Sequence, residues 1–128
     1  MSVSDILNAI ADDKSLCMFN TIALAQDYDS DLLISNISLS RKQFYARMTK
    51  MMETGLIRRV SGRYHLTSLG KIVYHAQNLI GNGVKDYWKL KALDSLHVSN
   101  GTIPAEEHNK IIEAIIDNQK IKEMVLLR

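Results

Sequence analysis

The first apolar residues, Ile6, Leu7 and Ile10, repeat on one face and predict a helix over Ser4–Ala11, with Ser4 as its cap. Asp12–Asp13 interrupts it. Leu16–Ala25 is apolar enough for a second, buried helix; Asp27–Asp31 reads as a loop ending in a cap, and Leu32–Ile37 as a short third helix. The next helix start is the best marked in the chain. Ser40 stands three residues before Gln43, the spacing of a capping box, and Leu39 and Phe44 have the spacing of a hydrophobic staple. From there Phe44, Met48 and Met51 form one apolar stripe, and Gly55 suits the left-handed position that ends a helix. Leu56–Val60 and Arg63–Leu66 are β-prone, and Ser61–Gly62 between them fits a two-residue hairpin turn.

Thr67 is placed to cap a long helix from Ser68 to about His97. Gly81 and Gly83 interrupt it, so the helix is either continuous, at about 1 kcal/mol per glycine, or kinked near Asn82. Asn100–Gly101 reads as a turn and Pro104 as a first helical residue. Two apolar clusters follow, Ile111–Ile116 and Ile121–Leu127, separated by Asp117–Asn118. The expected fold is mainly α with a small β-hairpin wing: a winged helix-turn-helix over residues 1–80, and a long C-terminal helix with a helical extension over 81–128.

Charge sharpens this picture. The net charge is only +2, but it is unevenly spread. Residues 1–37 hold six Asp against one Lys, residues 38–75 hold eight Lys and Arg against one Glu, and residues 76–128 balance at seven of each sign. A basic middle section is the footprint expected for a polyanion. In a helix-turn-helix the second helix buries one face and offers the other to the major groove. With Phe44, Met48 and Met51 inward, the offered residues are Arg41, Lys42, Gln43, Tyr45, Arg47 and Lys50, with Ser40 at the helix start. Gln43 has the amide pair that reads adenine, and an arginine has the fork that reads guanine. Arg58, Arg59 and Arg63 on the hairpin are expected to hold phosphates rather than to read bases.

These residues also carry a resemblance. Ser40-Arg-Lys-Gln-Phe-Tyr-Ala-Arg-Met through Glu53-Thr-Gly-Leu-Ile, then Arg63-Tyr-His-Leu-Thr-Ser-Leu-Gly70, resembles the recognition helix and wing of archaeal winged-helix transcriptional regulators of the broad ArsR/MarR-like group. The resemblance covers about residues 1–80, and Asp86-Tyr-Trp-Lys-Leu-Lys-Ala-Leu-Asp-Ser is similar to the tail of an archaeal subgroup. It implies a sequence-specific regulator bound to double-stranded DNA. The group's metal sensors carry paired cysteines in the recognition region, and this chain has none there, so metal sensing does not carry over.

Other chemistry finds little support. Cys17 is the single cysteine and is expected to be a buried structural thiol. The four histidines lack ligand spacing, His65 falls on the outward side of its strand, and the six methionines read mostly as core filler. There is no phosphate loop, paired-carboxylate arrangement or nucleophile motif, so no enzyme, metal or cofactor is expected. Met1–Ile10 lacks the pattern of a signal peptide and no window spans a bilayer, so the expected location is cytoplasmic, without a membrane partner.

Val73, Ala76, Ile80, Gly83, Tyr87 and Leu90 alternate spacings of three and four, a short heptad seam fitted to a homodimer. Leu69, Ile72 and Leu79 form a second stripe expected to cover the domain's own core. The competing arrangement has Pro104–Leu127 folding back over the seam within one chain. The competing function is a winged helix that binds protein in a transcription or replication assembly. Such a module would more often place apolar or acidic residues where Lys42, Arg47, Arg59 and Arg63 stand.

Overall fold

The structure, a computed structural model, describes residues 1–24, 30–99 and 104–126. The described elements are α1 (Val3–Ala9), α2 (Asp13–Leu24), α3 (Ser30–Asn36), α4 (Arg41–Glu53), β1 (Ile57–Val60), β2 (Arg63–Leu66), α5 (Ser68–Lys85), α6 (Tyr87–Ser99), α7 (Ala105–Ile115) and α8 (Gln119–Val125). The fold is mainly helical with one two-stranded antiparallel sheet. Among the described residues no helix is long and apolar enough to cross a membrane. Residues 27–29 of the expected loop and the expected turn at Asn100–Gly101 lie outside the described residues. The chain divides into two compact units, Met1–His75 and Ala76–Arg128, and the division falls inside α5.

In the first unit the start signals act largely as the spacing predicts. Ser40 Oγ accepts the Gln43 N–H at 3.2 Å, and Gln43 Oε1 accepts the Ser40 N–H at 3.2 Å, which closes the capping box of α4. Phe44, Met48 and Met51 are fully buried, and Leu39 joins them in the same core. At α1 the cap is Ser2 and not Ser4: Asp5 returns its carboxylate to the Ser2 N–H at 2.9 Å, so the box begins two residues earlier. The remaining core comes from Phe19, Met18 and Ile22 of α2, Leu33 of α3, and Leu56, Ile57, Tyr64 and Leu66 of the hairpin region. Tyr64 lies edge-on to Phe44, with ring centroids 6.3 Å apart. Cys17 is exposed, contrary to the expected buried thiol. Met18, Phe19 and Ile22 define the inward face of α2, and residue 17 turns away from it.

The passage from α4 into the hairpin and on into α5 is tightly specified. Gly55 N–H donates to Met52 O at 3.0 Å and Leu56 N–H to Met51 O at 3.0 Å, the paired bonds of a Schellman end, with Gly55 at φ +77°. Ser61 and Gly62 both have positive φ, 52° and 77°, as a type I′ turn requires, and Val60 pairs with Arg63 across it. Thr67 then returns to the end of α4. Its N–H donates to Leu56 O at 3.1 Å, and its hydroxyl donates to the Gly55 carbonyl while accepting the Gly70 N–H at 2.9 Å.

In the second unit Leu93, Ile112, Ile116 and Ile121 form a small core, with Leu79 and Leu90 packed against it. Lys122 of α8 reaches Glu113 of α7 at 3.1 Å, and Asn118 caps α8 through the Ile121 N–H at 3.1 Å. Pro104 precedes α7 as its N-cap rather than entering it. α5 continues through Gly81 and Gly83; the interruption comes at Asp86, not Asn82. Hydrogen bonds from Asp86 N–H to Asn82 O at 3.1 Å and from Leu90 N–H to Asp86 O at 2.9 Å carry the backbone across it.

The glycines of α5 differ in kind. A Cβ on Gly70 would stand 2.1 Å from the Leu56 carbonyl oxygen, whereas one on Gly81 would meet nothing within 4 Å. Gly70→Ala is therefore expected to cost about 3 kcal/mol of stability, at the upper end for forced overpacking. Gly81→Ala is expected to gain about 1 kcal/mol from helix propensity. Urea unfolding followed by circular dichroism reads both signs.

Candidate nucleic-acid interface

α4 turns a polar face outward because its apolar residues are confined to one stripe. Arg41, Lys42, Gln43, Tyr45, Ala46, Thr49, Lys50 and Glu53 are exposed, and Ser40 is exposed at the helix start. Counting 100° per residue from Phe44 puts Lys42, Ala46, Thr49, Lys50 and Glu53 nearest the middle of that face. Ala46 and Thr49 carry no charge, so the sequence gives no signal for them as contact residues. Their small size is what leaves the centre of the face open to a close surface. Lys42 and Lys50 have no ion-pair partner among the described residues.

The hairpin divides its arginines between two faces. Ile57 pairs with Leu66 and Arg59 with Tyr64 on the core side, while Arg58 pairs with His65 and Val60 with Arg63 on the outer side. Arg58 and Arg63 are exposed on that outer side, and His65 is half-buried. Arg59 is also exposed, but its guanidinium lies over the Tyr64 ring, 5.6 Å from the centroid. It lids the core edge there, so its role differs from that of Arg58. The alternation of strand side chains already separated residues 58 and 59.

Arg41, Gln43 and Arg47 of α4 are also engaged within the unit. Arg41 pairs with Asp31 at 3.1 Å, both largely exposed, an arrangement worth little in water. Gln43 spends its amide oxygen on the helix cap, leaving its amide N–H₂ for any outside partner. Arg47 is half-buried, and its Nε donates to Asp12 Oδ1 at 3.3 Å. Its position three residues after Phe44 sets it on the flank of the buried stripe, which is the signal that distinguishes it from Lys42 and Lys50. Tyr45 is exposed, with its ring edge-to-face with Phe44 at 5.1 Å.

Asp12, read from the sequence only as an interruption, joins α2 to α4. It accepts the Ser15 N–H at 2.9 Å and the Ser15 hydroxyl at 2.7 Å, besides Arg47. The Ser15 N–H does most to hold its carboxyl down, from 3.8 to about 2, with the Ser15 hydroxyl and the Arg47 guanidinium adding to it against partial burial. The spacing Asp12-x-x-Ser15 carried this signal, as a cap at the start of α2. Lys14 adds a second tie, donating to Ser38 O at 3.0 Å in the turn before α4.

The seam residues of α5 and α6 have several fates. Val73 packs on the core of the first unit and Leu90 on that of the second. Gly83 is half-buried, Ala76 is exposed, and Ile80 and Tyr87 are 63% and 49% exposed. Of the other stripe, Leu69 packs on the first core and Leu79 on the second. Ile72 does not cover the core as expected: it is exposed, as are Val84 and Trp88.

Asp12→Ala is expected to cost about 1 kcal/mol at neutral pH through loss of the α2 cap. The folded carboxyl titrates below its unfolded value, so its contribution is full above 3.8 and disappears as pH falls toward about 2. The stability gap between wild type and variant should close over that interval, as urea unfolding at a series of pH values would show.

No family model, curated protein or solved structure matches the chain.

Proposed function

We propose that the first unit is a winged helix that binds double-stranded DNA, with α4 in the major groove and the hairpin against the backbone, and that the chain acts as a homodimeric regulator of transcription. The observation that carries this reading is the outward-facing cationic set of Lys42 and Lys50 on α4 with Arg58 and Arg63 on the hairpin. A helix with a close-approach centre of Ala46 and Thr49, bordered by lysines, suits a groove floor flanked by phosphates. Glu53 on the same face has the acceptor chemistry for a cytosine amine. Gln43 can donate from its amide N–H₂ without leaving its cap; using both amide atoms on adenine requires breaking the bond to Ser40.

The homodimer rests on the exposed residues Ile80, Val84 and Tyr87. Two copies double the length of DNA that is read, with half-sites about one helical turn apart, roughly 34 Å. Val73 and Leu90, already packed within their own units, fall out of the seam as the spacing drew it.

Fluorescence anisotropy on duplex DNA at several salt concentrations tests the DNA reading. Four cationic contacts per protomer give a log–log slope of roughly −3 to −4 per protomer. A slope near zero, or no binding at low salt, rejects it. Gln43→Glu keeps the cap but replaces the amide donor with a carboxylate, so it should weaken the best site, selected from a random duplex pool, by about 1–3 kcal/mol more than it weakens random duplex.

Ile80→Asp tests the dimer. An unpaired carboxylate inside an interface is costly, and at an exposed position of a monomer it is not. The variant should sediment as a 14.5 kDa monomer, retain its helical circular dichroism and lose DNA affinity. A wild type that is already monomeric at tens of micromolar removes the basis for the dimer.

A further inference from the structure

Between α6 and the end of α7 lies an open groove of about 510 Å³. Trp88, Lys89 and Ala92 line it from α6, and Ala114, Ile115 and Asp117 from the other side. All six belong to the second unit, so the groove is independent of the DNA reading. Its volume suits one small molecule. Ala92 and Ala114 contribute only methyl groups to the lining, so this space is left unfilled. Trp88 supplies a broad apolar wall, and the Lys91 ammonium lies 5.8 Å from its ring centroid.

The polar groups of the groove are of opposite sign. Lys89 and Asp117 are exposed, and neither is ion-paired with the other or with any described residue. Asp117 also follows the C-terminal end of α7, where the helix dipole favours a cation. A simple anion would meet Lys89 but be repelled at Asp117, and a simple cation would meet the reverse. A molecule carrying both charges and an apolar body satisfies both ends.

We propose that this groove binds a small zwitterion with an apolar side chain, of the α-amino-acid class. Its carboxylate meets Lys89, its ammonium meets Asp117 at the C-terminal end of α7, and its side chain lies on Trp88 and the two alanines.

Trp88 is the single tryptophan of the chain, so its emission reports occupancy directly. The full-length protein is titrated with L-leucine into the millimolar range, the affinity regime of a small ligand in an open groove. The expected result is a saturable blue shift. Isoamylamine and 4-methylpentanoate, which keep the side chain but lose one charge each, should bind at least about tenfold more weakly. Lys89→Gln should lose the preference for leucine over isoamylamine, and Asp117→Asn the preference over 4-methylpentanoate. Ala92→Leu, which fills an exposed part of the groove, should abolish the shift with circular dichroism unchanged; Ala114→Leu serves the same purpose if Ala92→Leu alters the spectrum. Absence of a saturable shift with leucine, equal response to all three compounds, or a full response in the filled variant overturns the proposal.

Discussion

The carbonyl of Leu56 is the point on which the first unit turns. It accepts the Thr67 N–H, and the α5 backbone passes so near it that position 70 has no room for a side chain. Because the Thr67 hydroxyl also links the Gly55 carbonyl to the Gly70 N–H, one residue fastens the end of α4, the base of the hairpin and the first turn of α5. The hairpin cannot slip in register without breaking this junction. A one-residue slip would also exchange Arg58 and Arg63 with Ile57 and Tyr64 between the outer and core sides. The proposed DNA face is therefore a consequence of backbone closure as much as of charge.

A second constraint holds α4 from its other end. Asp12 caps α2 and takes the Arg47 Nε, while Lys14 reaches the turn before α4. Together with the capping box at Ser40, these contacts fix the start and the rotation of the helix before any partner is met. A face set in advance loses less conformational entropy on binding. The cost is that Arg47, Arg41 and the Gln43 amide oxygen serve the protein first.

Local signals were legible in the sequence because they are satisfied by neighbours in the chain. The capping box at Ser40, the stripe Phe44–Met48–Met51, the Gly55 end and the Ser61–Gly62 turn all depend on residues at most seven positions apart. What required the structure was long-range: Asp12 meeting Arg47, Arg59 covering Tyr64, and the close pass of Gly70 by Leu56. Cys17 shows the same limit, since an apolar segment does not reveal which of its faces is inward. In the seam, heptad spacing treated six residues as equivalent, but packing within each unit absorbs Val73 and Leu90 and leaves Ile80 and Tyr87 outside. Spacing defines a helix face; only the neighbouring elements decide how much of it remains open.

Nuclear magnetic resonance of the labelled protein titrated with duplex DNA shows whether α4 and the outer side of the hairpin form one DNA-binding face. The largest shifts are expected at Lys42, Ala46, Thr49 and Lys50 on α4 and at Arg58 and Arg63 on the hairpin. Cys17, on the outer surface of α2, should remain unmoved. Shifts concentrated in residues 76–128, or on α2 with α4 silent, would contradict it.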